Sequence, residues 1–250
     1  AVVIYTSTIK LPLLFSREIG GKIGNNLFPS LSGINFFKEI KSIQIIFLKI
    51  FNISTRVSFF FFLMIILINE KFINAWVGTD FYGGDLLNFI FAFLVFFEMI
   101  YFSTEPFSLV YGSIRKIAMA SVIELTANII ISIVGVYYIG LSGIAIGSLI
   151  SKLFTSFIYI FYHNLESLRL DIGLFFINVF YYLKKSIYFI SIMYPIGFLL
   201  IDINELLYIL IIPVLALISN MLIFNFQQVF DIKTSLYLKL KSVFDNSIIS

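Results

Sequence analysis

The chain has 250 residues, 60% of them hydrophobic and only 12% charged, with a net charge of +3. Soluble domains carry about 25% charged residues, so this composition excludes a water-soluble globule. The basic residues flank apolar runs instead of forming one patch, which excludes a nucleic-acid partner. The absence of cysteine excludes disulfides and thiol chemistry.

The chain starts on Ala1 inside an apolar segment, with no basic leader ahead of a cleavage site. That reads as an interior piece of a longer protein and not as a signal peptide. The segment from Val3 to Phe28 is long enough to cross a bilayer yet carries Lys10, Arg17, Glu18 and Lys22. Either only the stretch up to Ile9 is embedded and a cytoplasmic amphipathic helix follows, or the whole is a span with a charged face. Lys10 and Arg17 are seven apart, hence on one side of a helix.

Six complete spans follow, at roughly 53–73, 86–111, 117–139, 143–162, 186–201 and 206–226. A helix of about 20 apolar residues crosses the hydrocarbon, and backbone facing lipid must satisfy itself within a helix or a closed barrel. The run Phe59 to Ile68 shows no strand-like alternation. The expected fold class is all-α and integral to the membrane, a bundle of about six to seven transmembrane helices.

Lys38, Lys41 and Lys49, then Arg115 and Lys116, then Arg169, Lys184 and Lys185, then Lys233, Lys239 and Lys241 fall in every second gap. The intervening gaps hold Lys71 as their single basic residue. Lys/Arg-rich loops stay in the cytoplasm, which sets a topology with the C-terminus inside. Arg56, at the inner end of its span, is placed to snorkel to the headgroups. Residues 166–185 read as a cytoplasmic loop in which 170–182 lies along the membrane surface. Residues 186–227 are then a further helix pair and 228–250 a cytoplasmic tail.

Charges inside spans mark the candidate site, because each costs about 2.5–3.5 kcal/mol at the bilayer centre. Glu98 and Glu105 share a face of one span. Glu124 and Asn128 form a polar stripe with Ser121 and Ser132 on the next. Lys152 lies with Ser148, Thr155 and Tyr159 on the third. Three readings stand: Glu98 or Glu124 neutralises Lys152 and locks the helices, the groups line a hydrophilic path for a proton, a cation or a substrate hydroxyl, or a span boundary is misplaced and one of them lies at the interface. Pro106, directly after Glu105, kinks its helix and frees a carbonyl. Gly143 and Gly147 make a small-residue face for close packing.

Covalent chemistry finds no support. Gly140-Leu141-Ser142-Gly143 has the Gly-x-Ser-Gly form of an intramembrane serine protease. A nucleophilic serine needs a base within hydrogen-bond reach, but His163 is the sole histidine. It stands about 31 Å further along the same helix at 1.5 Å per residue. One histidine without cysteine argues against a transition-metal site, and no Gly-rich phosphate loop is present. No cofactor is expected.

Four features in order resemble the polysaccharide flippases of the multidrug/oligosaccharidyl-lipid/polysaccharide exporter superfamily. They are the Tyr5-containing helix ending at Phe28-Pro29-Ser30-Leu31-Ser32 and the outer turn Ala75-Trp76-Val77-Gly78 with Phe81-Tyr82. The basic turn Gly112-Ser113-Ile114-Arg115-Lys116 with Asn128 beyond it comes third, and the hairpin Gly140-Leu141-Ser142-Gly143-Ile144-Ala145 fourth. The resemblance covers residues 1–165 and implies the second lobe of a two-lobed transporter in a bacterial inner membrane. It implies movement of an undecaprenyl-pyrophosphate-linked oligosaccharide between leaflets for surface polysaccharide synthesis. Arg17 and Lys10 would then meet the pyrophosphate, Arg17 as a planar fork. Glu98, Glu105 and Glu124 would touch sugar hydroxyls or carry a coupling ion. The charges on the first helix depart from the family pattern. An ion-coupled drug or metabolite exporter of the same superfamily is the first alternative, and a membrane enzyme of glycan assembly the second.

Overall fold

The computed structural model describes residues 2–33, 40–170, 172–200 and 202–224. Lys38 and the tail at 228–250, with Lys233, Lys239 and Lys241, lie outside the described residues. Among those described there are seven continuous helices and no strand. Helix α1 runs from Val2–Leu13 through a π-helical stretch, Leu14–Gly21, into Lys22–Ser32. Then come α2 (Ile40–Trp76), α3 (Asp85–Val110) and α4 (Ile114–Ile139). Helix α5 comprises Ser142–Lys152, the π-helical Leu153–Tyr159 and Ile160–Ser167. Helices α6 (Ile172–Leu199) and α7 (Glu205–Phe224) complete the set. Five of these helices are long and apolar enough to cross a membrane: α2, α3, α4, α5 and α7. The protein is an all-α membrane bundle.

Helix α2 is its central post. At one end Phe47 and Ile43 pack with Leu31 of α1, Phe107 of α3 and Leu165 of α5. Phe47 and Phe107 meet edge to face, with ring centroids 5.0 Å apart. Further along, Leu63 and Met64 meet Phe189 and Met193 of α6 and Ile212 and Ala216 of α7. Helix α1 lies along α3, from Tyr5 against Phe91 to Gly24 against Phe102. It is one continuous helix from Val2 to Ser32, and it is not among the five that are long and apolar enough to cross a membrane.

Between helices, lipid tails compete on equal terms with side chains, so close backbone approach and hydrogen bonds must supply the attraction. The α4–α5 hairpin depends on close approach. A Cβ on Gly143 would overlap the backbone of Gly135, and one on Gly147 would come within 2.9 Å of the Cα of Ser132. Along α4 only a narrow stripe containing Glu124, Asn128, Ser132 and Gly135 is partly covered. Its broad apolar faces, including Ile129, Ile133 and Tyr137, stay exposed.

Two expectations change. Residues 172–182 of the expected surface segment and 186–199 of the expected span are parts of a single helix, α6, because no proline or turn interrupts Ile172 to Lys185. Arg56 is buried instead of snorkelling, and its Nε donates to Asn220 Oδ1 at 2.8 Å. Helix α7 packs over α2 at this level, so the arginine finds a side-chain acceptor inside the bundle. Gln44 ties the far ends together. Its Nε2 donates to Leu168 O at 2.7 Å, just before Arg169, which holds φ at 51° without being glycine.

Substituting Gly143 or Gly147 by Leu forces α4 off α5. Overpacking of this kind costs about 1–3 kcal/mol, and we expect a lower unfolding midpoint in detergent. Gly21→Ala is the control, because a Cβ there meets nothing within 4 Å.

Candidate charged site between three helices

Three of the residues singled out by their cost in lipid meet at one level. Lys152 Nζ donates to Glu98 Oε1 in a short contact and lies 4.0 Å from Glu124 Oε1. All three side chains are about four-fifths covered, with exposures of 23%, 18% and 21% for Lys152, Glu98 and Glu124. The lysine thus sits between two carboxylates from different helices, and the trio carries one net negative charge.

The helix geometry explains how α5 serves this site. Lys152 is the last α-helical residue before the π-helical Leu153–Tyr159. Widened turns of this type are frequent at functional positions. Here the neighbours Thr155 and Ser156 both donate to Glu124 Oε2, Thr155 at 3.1 Å and Ser156 more closely. Glu124 is therefore held by two hydroxyls and faces one ammonium.

Asn128 stands one turn away on α4. Its Nδ2 donates to Ser148 Oγ at 3.3 Å, and its Oδ1 accepts from Ser132 Oγ at 2.8 Å. It joins the hairpin but touches neither Glu98 nor Lys152. Glu105 lies two turns from Glu98 on α3 and accepts from Tyr101 at 2.7 Å. Lys10 and Arg17 are on α1, both exposed, and belong to a separate face. Arg17 lies within the first π-helical stretch. Beside it, Lys22 pairs with Glu18 at 3.0 Å with both side chains largely exposed, a contact worth little.

Several buried polar groups escaped the sequence reading. Asn69 Nδ2 donates to Thr8 O at 2.9 Å and to Asn88 Oδ1 at 2.8 Å. Asn88 Nδ2 donates to Ile65 O at 3.2 Å, and Gly83 N–H donates to Thr8 Oγ1 at 2.9 Å. Pro12 has no N–H to give to Thr8 O four residues earlier, so Asn69 takes over that carbonyl. The signal was Asn69 one turn before the end of an apolar run, which from sequence alone reads as an interfacial residue. Ser108 donates to Asn164 Oδ1 at 2.5 Å, and Asn164 Nδ2 to Thr104 O at 3.1 Å. His163 contacts Ser113 Oγ at 2.5 Å and Lys116 Nζ at 3.1 Å. It lies at the opposite end of α5 from Ser142, which rules out their cooperation in catalysis. In the turn after α2, burial and the adjacent Asp85 carboxylate push the Tyr82 phenol above its ordinary range. It therefore remains a donor, at 3.0 Å from Asp85 Oδ1.

No family model matches the sequence, and no curated protein or solved structure matches it.

Replacing Lys152 by Met leaves two covered carboxylates facing each other. Removing one partner of such a pair costs about 3–5 kcal/mol, and adding Glu98→Gln should recover part of that loss in thermal unfolding. Asn69→Leu should cost about 1–3 kcal/mol, because Thr8 O and Asn88 lose their donor in a dry setting.

Proposed function

We propose that this chain is one lobe of a carrier that moves an undecaprenyl-pyrophosphate-linked oligosaccharide between leaflets of a bacterial inner membrane. The observation that carries this reading is the exposed cationic face of α1. Lys10 and Arg17 project from a helix of membrane length, away from its packing against α3. Two cations bare to hydrocarbon cost several kcal/mol. A second lobe enclosing a wet path removes that cost, and a pyrophosphate turns it to use.

The order of turn motifs supports the same assignment, and so does the end-to-end bias of basic residues. Lys41, Arg115, Lys116 and Arg169 cluster at the end bearing the α3–α4 connection, whereas Lys71 is at the other. By the positive-inside rule the first end is cytoplasmic. Transport then proceeds by rocking one lobe against the other about a site near the midplane. The Glu98–Lys152–Glu124 trio favours a second reading, ion-coupled export of a small molecule, because it offers one carboxylate more than its lysine neutralises.

Arg17→Ala should abolish surface polysaccharide while the protein stays in the membrane, since an exposed side chain contributes within about 0.5 kcal/mol to stability. Normal polysaccharide display in that variant would defeat the phosphate role. Export resistant to Arg17→Ala but lost in Glu124→Gln would select the exporter. A cysteine at Ser142 should react with an impermeant reagent from outside and one at Ser167 only from inside; the reverse pattern overturns the sidedness.

A further inference from the structure

A cavity of about 720 Å³ lies between α2, α3, α6 and α7, away from the charged trio. This is within the usual range for a ligand pocket. Leu63, Leu67 and Ile190 form its apolar floor. Leu86, Phe89 and Phe198 also line it, and they are 59%, 48% and 67% exposed. Large apolar side chains bared at the mouth show that the cavity opens sideways toward hydrocarbon, not only upward to water.

The rim has a different chemistry. Glu70, Lys71 and Asp85 line the cavity where α2 ends and α3 begins. Asp85 is oriented through Oδ1 by the Tyr82 hydroxyl at 3.0 Å. Among the described residues none of these three charges joins an ion pair, although Glu70 and Lys71 are adjacent in sequence. The site therefore has an alkyl-sized apolar chamber open to lipid, capped at headgroup level by two carboxylates and one ammonium.

From this arrangement we infer a binding site for a phospholipid with a primary-ammonium headgroup. The ammonium would lie between Glu70 and Asp85, the phosphate against Lys71, and an acyl chain would enter between α3 and α6. Complementarity decides against the anionic alternative. A phosphatidylglycerol head would bring its phosphate to the same lysine but leave two carboxylates facing no cation. A quaternary ammonium head supplies the charge without the N–H donors that the carboxylates accept from. Gly197 keeps the chamber open: a Cβ there comes within 2.7 Å of Leu67 Cδ2 and 3.1 Å of the Tyr208 hydroxyl. The site is independent of what the carrier moves.

The test is native mass spectrometry of the full chain released from nanodiscs holding equal phosphatidylethanolamine and phosphatidylglycerol. The wild type should retain the ethanolamine lipid about five-fold more than the glycerol lipid, the scale of a single exposed charge contact. Glu70→Gln with Asp85→Asn should bring the two to parity without loss of total bound lipid. Gly197→Leu should reduce both. Equal retention by the wild type overturns the inference, as does an ethanolamine preference that survives the double substitution. So does a preference for phosphatidylcholine when that lipid replaces the glycerol lipid.

Discussion

In hydrocarbon a backbone carbonyl without a donor has no water to turn to, and this constraint organises the bundle more than any charge does. Proline creates such carbonyls by lacking an N–H. Pro12 releases Thr8 O, and Asn69 of α2 answers it at 2.9 Å while also holding Asn88 of α3. One freed group thereby fixes the mutual depth of three helices. Pro106 poses the same problem at Phe102 O, and α1 brings Gly24 against it so closely that a Cβ would overlap the oxygen. Only weak Cα–H donation is available there, and glycine is the residue that lets the backbone come near enough.

These anchor points place the charged site. With α1, α2 and α3 locked, Glu98 has a fixed depth, and the glycine seam between α4 and α5 sets the register of Glu124 against Thr155 and Ser156. The π-helical stretch of α5 sets which residues face the seam. A regular α-helix from Lys152 onward would turn Ser156 away from Thr155 by a further fraction of a turn. Close packing and local widening are thus two parts of one device, which gathers Lys152, Thr155 and Ser156 of α5 around the single carboxylate of Glu124.

Span positions were legible because length and apolarity fix them: α3, α4 and α5 begin and end, and α7 begins, within a few residues of where composition puts them. The meeting of Glu98, Glu124 and Lys152 was legible for a related reason, since unpaired charges at similar depth on consecutive spans have few other partners. Arg56 was not legible. Its acceptor, Asn220, is 164 positions away, and local pattern offered the headgroups as the nearer solution. Asn69 was missed because its partner is a carbonyl made available by a proline in a different helix. The continuity of α6 through Lys184 and Lys185 was obscured by reading those charges as loop markers, though Lys185 rests over the Tyr181 ring at 4.7 Å.

The lopsided burial of α4 bears on how the polypeptide is assembled. Its polar stripe is matched almost wholly by α5, and its remaining surface is fit for acyl chains. While a ribosome has delivered α4 but not α5, Glu124 and Asn128 have no mates in the bilayer, and each costs free energy to insert alone. Partitioning of the two helices together as a hairpin avoids that cost, and the short turn at Gly140 and Leu141 holds them close enough for it.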